Sequence, residues 1–250
     1  MTDASDAHTA TTPLTGRRVV VTGGTTGIGR AIAVLLASEG ARLHICGHDA
    51  AHLDDALTRI AEVGEGQGTS IDLAEEGAVA RYFDTATRAL GGLDVAVINA
   101  AIAAEGLTDL SADELRYAIA TDFTAYLTSA HAAIERGATD VILIGSMSAH
   151  VLGPGSTVYA GIKAGIAGFA EALRREVGPK GVRVSLVEPG KTGSDMQLPD
   201  VPVENQREMI RDQTMLRAED IAVGVHYVLT QPQRTVVQQL TIVPRDQEGE

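Results

Sequence analysis

The sequence lacks the features that mark several large classes of protein. It has one cysteine in 250 residues, which excludes an internal disulfide framework. Acidic residues outnumber basic ones by 33 to 20, and the net charge of −13 comes without any long basic run, so nucleic acid and anionic membrane surfaces are poor partners. No apolar stretch approaches the roughly 20 residues that cross a bilayer, and residues 1–13 lack the basic start and apolar core of a signal peptide. The seven histidines show no compact metal-ligand spacing, which argues against a metal site. We therefore expect a soluble, cytoplasmic protein.

Three polar residues in the second half of the chain can together move a proton on and off a carbonyl oxygen. Tyr159 and Lys163 stand four positions apart, so on a helix they share a face, and Ser146 lies thirteen positions before Tyr159. A phenol ordinarily titrates near pH 10, and a nearby cation lowers its pKa toward the range in which general acid–base catalysis is effective. With Ser146 holding the substrate oxygen, this pattern indicates hydride transfer between a carbonyl and an alcohol.

A glycine-rich segment near the start of the chain offers a site for the hydride donor. A short predicted strand from Arg18 to Val21 leads directly into Thr22-Gly23-Gly24-Thr25-Thr26-Gly27-Ile28-Gly29, and helical spacing begins after it. Small residues let phosphate groups approach backbone N–H groups, and the positive end of the helix dipole attracts them. Such a segment alone is often only a turn, but together with Ser146, Tyr159 and Lys163 it indicates a dinucleotide cofactor.

In these motifs the chain resembles the short-chain dehydrogenases/reductases of the single-domain type, and the resemblance runs nearly end to end. Thr-Gly-x-x-x-Gly-x-Gly is that family's cofactor turn, and Ser146, Tyr159 and Lys163 fall on its catalytic positions. The resemblance implies an NAD(P)-dependent oxidoreductase acting on a small carbonyl or alcohol, in which Lys163 also binds the nicotinamide ribose. Besides Tyr159 and Lys163, the cofactor-binding residues that it implies are Gly23, Thr25, Thr26, Gly27, Ile28, Gly29, Gly47, His48, Asp72, Leu73, Asn99, Ala100, Pro189, Gly190, Thr192 and Ser194.

The alternation of segments predicts an α/β fold, a Rossmann-like doubly wound parallel sheet of about seven strands with helices on both faces. We predict strands over 18–22, 42–46, 69–72, 94–99, 140–145, 183–188 and 239–243, and the clearest helices over 28–39, 49–62, 75–90, 111–136, 157–177 and 218–229. We expect residues 14–250 to form one domain and the polar residues 1–13 to be disordered. By the family resemblance, residues 197–214, interrupted by Pro199 and Pro202, are our candidate for a lid over the substrate.

The end of the second predicted strand bears on the choice of cofactor. Relatives that prefer NAD(H) usually carry an aspartate there, which binds the ribose 2′-hydroxyl. Gly47 takes that position, so no carboxylate repels a 2′-phosphate. The neighbouring His48 could bind the phosphate, although Asp49 weakens its effect. We therefore expect NADP(H) to be favoured, with NAD(H) as the alternative.

Some positions depart from the family pattern. Ile98 and Ala101 replace an asparagine and a glycine beside the predicted cofactor site. Asp122 stands where the family usually has a fourth catalytic residue, an asparagine whose main chain helps to hold a water on the lysine. An aspartate preserves that role if the helix keeps its kink, but a carboxylate near Lys163 is also expected to weaken the effect of the lysine on Tyr159.

The remaining expectations concern substrate and assembly. His150, Val151 and Leu152 follow Ser146 in the segment that usually lines the substrate pocket, with a solvent-facing loop as the alternative. The resemblance implies a homo-oligomer, a dimer or a tetramer, formed through the long helices predicted over 111–136 and 157–177. Two other functions stay open: a catalytically idle nucleotide-binding or regulatory protein, and a reductase of an enone or an imine.

Overall fold

The apolar runs of the sequence pair into a parallel sheet in the computed structural model, which describes residues 11–104, 106–198 and 200–246. The sheet has seven strands in the order β3-β2-β1-β4-β5-β6-β7, and every neighbouring pair is parallel. The strands are β1 Arg18–Thr22, β2 Arg42–Gly47, β3 Glu65–Ser70, β4 Val95–Ile98, β5 Asp140–Ile144, β6 Arg183–Pro189 and β7 Gln239–Ile242. The predicted Rossmann-like fold is confirmed.

Helices cover both faces of the sheet. They are α1 Gly27–Ser38, α2 Ala50–Ala61, α3 Ala78–Leu90, α4 Ala112–Ile119, α5 Ala125–Glu135, α6 Thr157–Val177, α7 Val203–Arg211 and α8 Ala218–Leu229. Apolar residues of α1, α2 and α8 pack on one face, and those of α3, α5 and α6 pack on the other. Within the described ranges, no helix is both long enough and apolar enough to span a membrane.

The central strands are buried on both sides because helices cover both of their faces. Every residue of β4, β5 and β6 is buried, as expected for the interior of a parallel sheet. The edge strand β3 differs, since it reads Glu-Gly-Gln-Gly-Thr-Ser and has no large apolar side chain. A β-carbon on Gly66 would lie 2.7 Å from Ile60 Cγ2, and one on Gly68 would lie 2.6 Å from Leu53 Cδ1, so these glycines let the side chains of α2 pack closely on the strand. The strand predicted over 69–72 is therefore misplaced.

The predicted helix over 111–136 is interrupted. A π-helical turn over Ala120–Thr124 separates α4 from α5, so the backbone gains one extra residue just where Asp122 stands. Such turns are frequent at functional sites because they shift the direction of the side chains that follow. The regular helix is therefore interrupted at the position where the sequence argument about Asp122 requires it.

Charged residues gather at the amino-terminal end of the sheet. Asp140 accepts hydrogen bonds from Arg183 Nε at 2.6 Å and from Arg17 Nη2 at 2.5 Å, and its side chain is only 3% exposed. Arg183 Nη1 also donates to three backbone carbonyls in the loop before β7, those of Gln231, Pro232 and Thr235. We call Arg17, Asp140 and Arg183 the basal charge cluster; it joins β5 and β6 to the segments before β1 and β7.

The predicted N-terminal tail lies largely outside the described residues, which begin at residue 11. Within the described part, Thr12 N donates to Thr230 O at 2.8 Å and Thr12 Oγ1 donates to Gln231 O at 2.7 Å. These bonds hold residue 12 against the segment that follows α8. Pro199 of the predicted lid also lies outside the described residues.

Candidate active site

A cleft of about 730 Å³ opens at the carboxyl ends of the strands. Loops that follow β1, β2, β4, β5 and β6 form its walls, and the strand order reverses between β1 and β4, which is where open parallel sheets bind ligands. The predicted residues Ser146, Tyr159 and Lys163 line this cleft together. All of the predicted cofactor residues line it as well, with the exception of Gly29.

The glycine-rich turn is held in a shape that only small residues permit. Gly23 has φ +62°, and a β-carbon there would lie 2.6 Å from the Cα of Ala100. A β-carbon on Gly29 would lie 2.0 Å from Gly23 O, so Gly29 acts by letting α1 approach the turn rather than by lining the cleft. Asn99 Nδ2 donates to the carbonyls of Thr22 and Gly23, which locks β4 to the turn. The N-terminus of α1 carries no acidic residue in its first turn, so it offers free N–H groups and a positive dipole to a phosphate.

Tyr159 and Lys163 lie on one face of α6, as their spacing predicts. Lys163 is 2% exposed, and its Nζ lies 5.5 Å from the centroid of the Tyr159 ring. The same Nζ donates to Tyr126 Oη at 3.3 Å and to Ile144 O at 3.2 Å. Neither of these acceptors is charged, so the ammonium group is held in place without direct neutralisation.

The pKa values in this centre are governed by burial. The pKa of Tyr159 is raised to about 12, mainly by burial. The hydrogen bond with the Ser146 hydroxyl lowers this pKa by a smaller amount, and the charge of Asp122 adds to the rise. Burial also lowers the pKa of Lys163 to about 8, and the charge of Asp122 opposes this. The sequence argument predicts a lowered pKa for Tyr159. The structure shifts this pKa upward instead, because the effect of burial outweighs the effect of the distant ammonium charge.

Asp122 is completely buried in the π-helical turn. Its Oδ1 accepts a hydrogen bond from Ile102 N at 2.8 Å, which ties the turn to the loop after β4. Burial raises the pKa of Asp122 to about 6, and the charge of Lys163 works against that rise. The expectation that Asp122 weakens the effect of the lysine on Tyr159 agrees with the direction of its influence on the phenol.

The end of β2 has no room for an acidic side chain. A β-carbon on Gly47 would lie 2.4 Å from Thr25 Oγ1 and 2.6 Å from Thr25 Cγ2. Thr25 therefore occupies the space in which an aspartate side chain would begin. His48 and His52 also line the cleft at this end, and Asp49 caps α2 by accepting a hydrogen bond from His52 N at 2.8 Å.

Asp72 is fixed by donors from two elements. Its Oδ1 accepts from Ala74 N at 2.9 Å, and its Oδ2 accepts from Tyr117 Oη, on α4, at 3.0 Å. Tyr117 and Asp72 both line the cleft, so this bond joins the loop after β3 to α4 across one of its walls. Nothing in the sequence pattern singles out Tyr117, because only packing of α4 brings it to Asp72.

Comparison with known proteins agrees with this geometry. The family model for short chain dehydrogenase matches residues 17–204. The chain belongs to the short-chain dehydrogenase family. It is 30% identical to an uncharacterized oxidoreductase of Staphylococcus aureus strain MRSA252, over 93% of this chain and 99% of that protein.

Solved structures of the family superpose on nearly the whole chain. A short chain dehydrogenase from Burkholderia cenocepacia J2315, in complex with NADP, is 32% identical, with a TM-score of 0.83 and coverage of 93% of this chain and 98% of that one. A short-chain dehydrogenase/reductase from Serratia marcescens is 27% identical, with a TM-score of 0.81 and coverage of 92% and 98%. The residues present fit the dinucleotide cofactor typical of short-chain dehydrogenases, since Gly23 and Gly29 keep the turn after β1 tight against α1, whose N-terminus has no side-chain cap and no acidic residue in its first turn.

The predicted substrate residues are not brought into the cleft that short-chain dehydrogenases use. His150, Val151 and Leu152 are absent from its lining, and Leu152 is 76% exposed. His150 Nε2 instead contacts both carboxylate oxygens of the buried Glu188, at 3.0 and 3.1 Å. This pairing anchors the loop after Ser146 to β6.

Other residues, which the sequence argument did not select, line the cleft near Ser146 and Tyr159. Met147, Ser148, Gly155 and Ser156 line it on the side of Ser146, Gln197 lines it from the start of the predicted lid, and Met196 lines it from the position just before. The residues of α7 do not line the cleft, so only the first part of the segment 197–214 does so. No periodic signal marks these loop positions, and only those over 147–156 lie near Ser146 in sequence.

Proposed function

We propose that this protein is a nicotinamide-dependent oxidoreductase that interconverts a ketone and a secondary alcohol, with NADP(H) as its preferred cofactor. The observation that carries the proposal is the presence of Ser146, Tyr159 and Lys163 in the same cleft as the glycine-rich turn. The cofactor, when bound, supplies or accepts the hydride. The protein's own residues must then supply or accept a proton at the substrate oxygen.

Tyr159 is the residue that exchanges this proton. In reduction its O–H bond breaks as a new O–H bond forms on the substrate oxygen, and in oxidation the phenolate takes that proton back. Ser146 orients the substrate oxygen toward the phenol. Lys163, whose pKa of about 8 leaves it mostly protonated near neutrality, stabilises the phenolate by its charge. Because the centre is buried, this charge acts through a medium of low dielectric constant and is more effective than it would be in water.

The preference for NADP(H) rests on the end of β2. Thr25 blocks the start of any side chain at Gly47, so position 47 itself places no carboxylate near a 2′-phosphate, and the carboxylate of Asp49, which also lines the cleft, is engaged in capping α2. His48 and His52 line the same end of the cleft and can donate hydrogen bonds to a phosphate oxygen. The complex of the Burkholderia relative with NADP gives further support.

Titration of the protein with NADPH and NADH, followed by nicotinamide fluorescence, tests the proposal. We expect NADPH to bind about tenfold more tightly, equivalent to about 1.4 kcal/mol, which is the size of one charge-assisted hydrogen bond to the phosphate. Tighter binding of NADH would contradict the preference. Binding of neither would contradict the oxidoreductase proposal itself and favour a regulatory protein without nicotinamide chemistry.

Two histidine variants test whether His48 recognises the 2′-phosphate of NADPH. His48→Ala should weaken NADPH binding and leave NADH binding unchanged, because only NADPH carries the phosphate that the imidazole would meet. His131→Ala is the matched control, since His131 lies on α5 with a side chain that is 73% exposed and outside the cleft. Equal losses for both cofactors in His48→Ala would show that His48 does not recognise the phosphate.

We also propose that the protein is cytoplasmic and self-associates as a dimer or tetramer. The proposal rests on the membership of the chain in the short-chain dehydrogenase family, and Ile119 of α4, on the predicted interface helix, leaves 42% of its surface exposed. Light scattering on the purified protein should give a mass of two or four chains, and a monomeric mass would contradict the proposal.

A further inference from the structure

Lys163 is a buried cation whose hydrogen-bond partners are neutral. It is 2% exposed, and it donates to a phenol oxygen of Tyr126 and to the carbonyl of Ile144. A buried ammonium group without a negative partner loses its proton readily, because the charged form is poorly solvated. A charge in the surroundings must therefore decide whether Lys163 is protonated at a given pH.

Asp122 is the acidic group that acts on Lys163. It is completely buried in the π-helical turn that packs against α6. The titratable groups that face it are Lys163 and Tyr159 from α6, Tyr126 from α5 and Tyr117 from α4. Lys163 is the one cation among them, and Asp72 lies beyond Tyr117, to which it is hydrogen-bonded.

The hydrogen bonds of Asp122 do not explain why this position carries a charge. Its Oδ1 accepts from Ile102 N, and an asparagine amide oxygen would accept that bond equally well. Among the described residues, Oδ2 has no hydrogen-bond partner, and neither does the neighbouring Thr121 Oγ1. What aspartate adds over an amide is therefore a negative charge, on a turn that packs against α6, which acts on the buried cation of that helix.

We propose that Asp122 is the counter-ion that keeps Lys163 protonated at the pH at which the enzyme works, a positioning residue that acts on the reaction through the lysine. The proposal rests on the proposed function for its catalytic consequence, but the charge coupling itself does not depend on any cofactor. Asp122 acts on Tyr159 in two opposite ways. Its negative charge directly disfavours the phenolate, whereas its indirect effect preserves the ammonium group that favours the phenolate.

The chain is well suited to a direct test, because it contains only three lysines, Lys163, Lys180 and Lys191. In cofactor-free protein labelled with ¹³C at the lysine ε-carbon, three signals are followed against pH, and loss of one signal in Lys163→Arg assigns Lys163. We expect Asp122→Asn to move the titration midpoint of Lys163 downward by about one pH unit or more. Lys180 and Lys191 are exposed and serve as internal controls that should not move. An unchanged or raised midpoint for Lys163 would overturn the proposal.

A second charge-removing variant controls for a general electrostatic effect on the midpoint of Lys163. Asp113→Asn removes the same charge from the first turn of α4, where the side chain of Asp113 is 92% exposed, and should leave the midpoint of Lys163 unchanged. If Asp122→Asn does not fold, the wild-type protein alone still gives an answer. Its Lys163 signal should show a second, smaller step near pH 6, where Asp122 itself loses its proton, and the absence of that step would count against the coupling.

Kinetics connect the counter-ion to catalysis. In alcohol oxidation, kcat/KM should fall as the pH rises through the titration midpoint of Lys163, because the lysine then loses its charge. In Asp122→Asn this fall should occur about one pH unit lower than in the wild-type protein, at the new midpoint of Lys163. A shifted lysine midpoint with an unshifted kinetic profile would overturn the catalytic part of the proposal. A shifted midpoint in a protein that binds no nicotinamide would instead uphold the counter-ion and reject the proposed function.

Discussion

Tyr159→Phe is expected to abolish turnover while leaving cofactor binding nearly unchanged. Phenylalanine keeps the ring that packs in the cleft but has no hydroxyl to exchange a proton with the substrate oxygen. Loss of a general acid or base typically lowers the rate by about 10²–10⁴-fold. The measurements are kcat in both directions at saturating concentrations and the dissociation constant for NADPH, which should change by less than about twofold because the ring remains.

Tyr227→Phe is the matched control for this experiment. It removes a hydroxyl from a half-exposed tyrosine on α8 that does not line the cleft, and it should retain full activity. If Tyr159→Phe kept more than about a tenth of the wild-type kcat, the phenol would not be the acid and base. If it lost NADPH binding to the same degree as turnover, the tyrosine would act in cofactor binding instead.

The largest effect on stability is expected from Asp140→Ala at the basal charge cluster. This change leaves the guanidinium groups of Arg17 and Arg183 without their shared carboxylate, and the side chain of Arg183 is only 8% exposed. Removing one partner of a buried ion pair costs about 3–5 kcal/mol, because the remaining charge stays buried without compensation. Urea denaturation at a fixed protein concentration should show this loss in the free energy of unfolding.

A surface ion pair provides the comparison. Asp84→Ala breaks the pair with Arg136, but the side chain of Asp84 is 58% exposed, so the expected loss is less than about 1 kcal/mol. If Asp140→Ala cost no more than Asp84→Ala, the basal charge cluster would not hold the sheet together. Since the cluster lies at the opposite end of the strands from the cleft, turnover per folded molecule should be unaffected.

The glycine-rich turn and the centre around Tyr159 could be predicted because they depend on short-range spacing. A residue and its fourth successor share a helix face in any protein, and glycines that admit a phosphate must lie between a strand and a helix. The family and the seven-stranded parallel fold are confirmed. The alternation of apolar runs with helical patterns is enough to specify that fold.

Other features could not be predicted because they depend on contacts between segments far apart in the chain. The strand β3 has no β-branched apolar residue, and its glycines make sense only once α2 is seen to pack on them. The bond from Tyr117 to Asp72 joins positions 45 residues apart, and that from His150 to Glu188 joins positions 38 apart. The raised pKa of Tyr159 follows from burial, which the sequence motif does not report.

The residues that stabilise the sheet are separate from the residues that line the cleft. The residues that tie the strands together stand at one end of the sheet, and the loops that meet a substrate stand at the other. Substitutions at Met147, Ser148 or Gln197 can therefore alter which substrate is accepted without weakening that anchor. The lineage can explore new substrates by loop divergence, and libraries for directed evolution can be confined to the same loops.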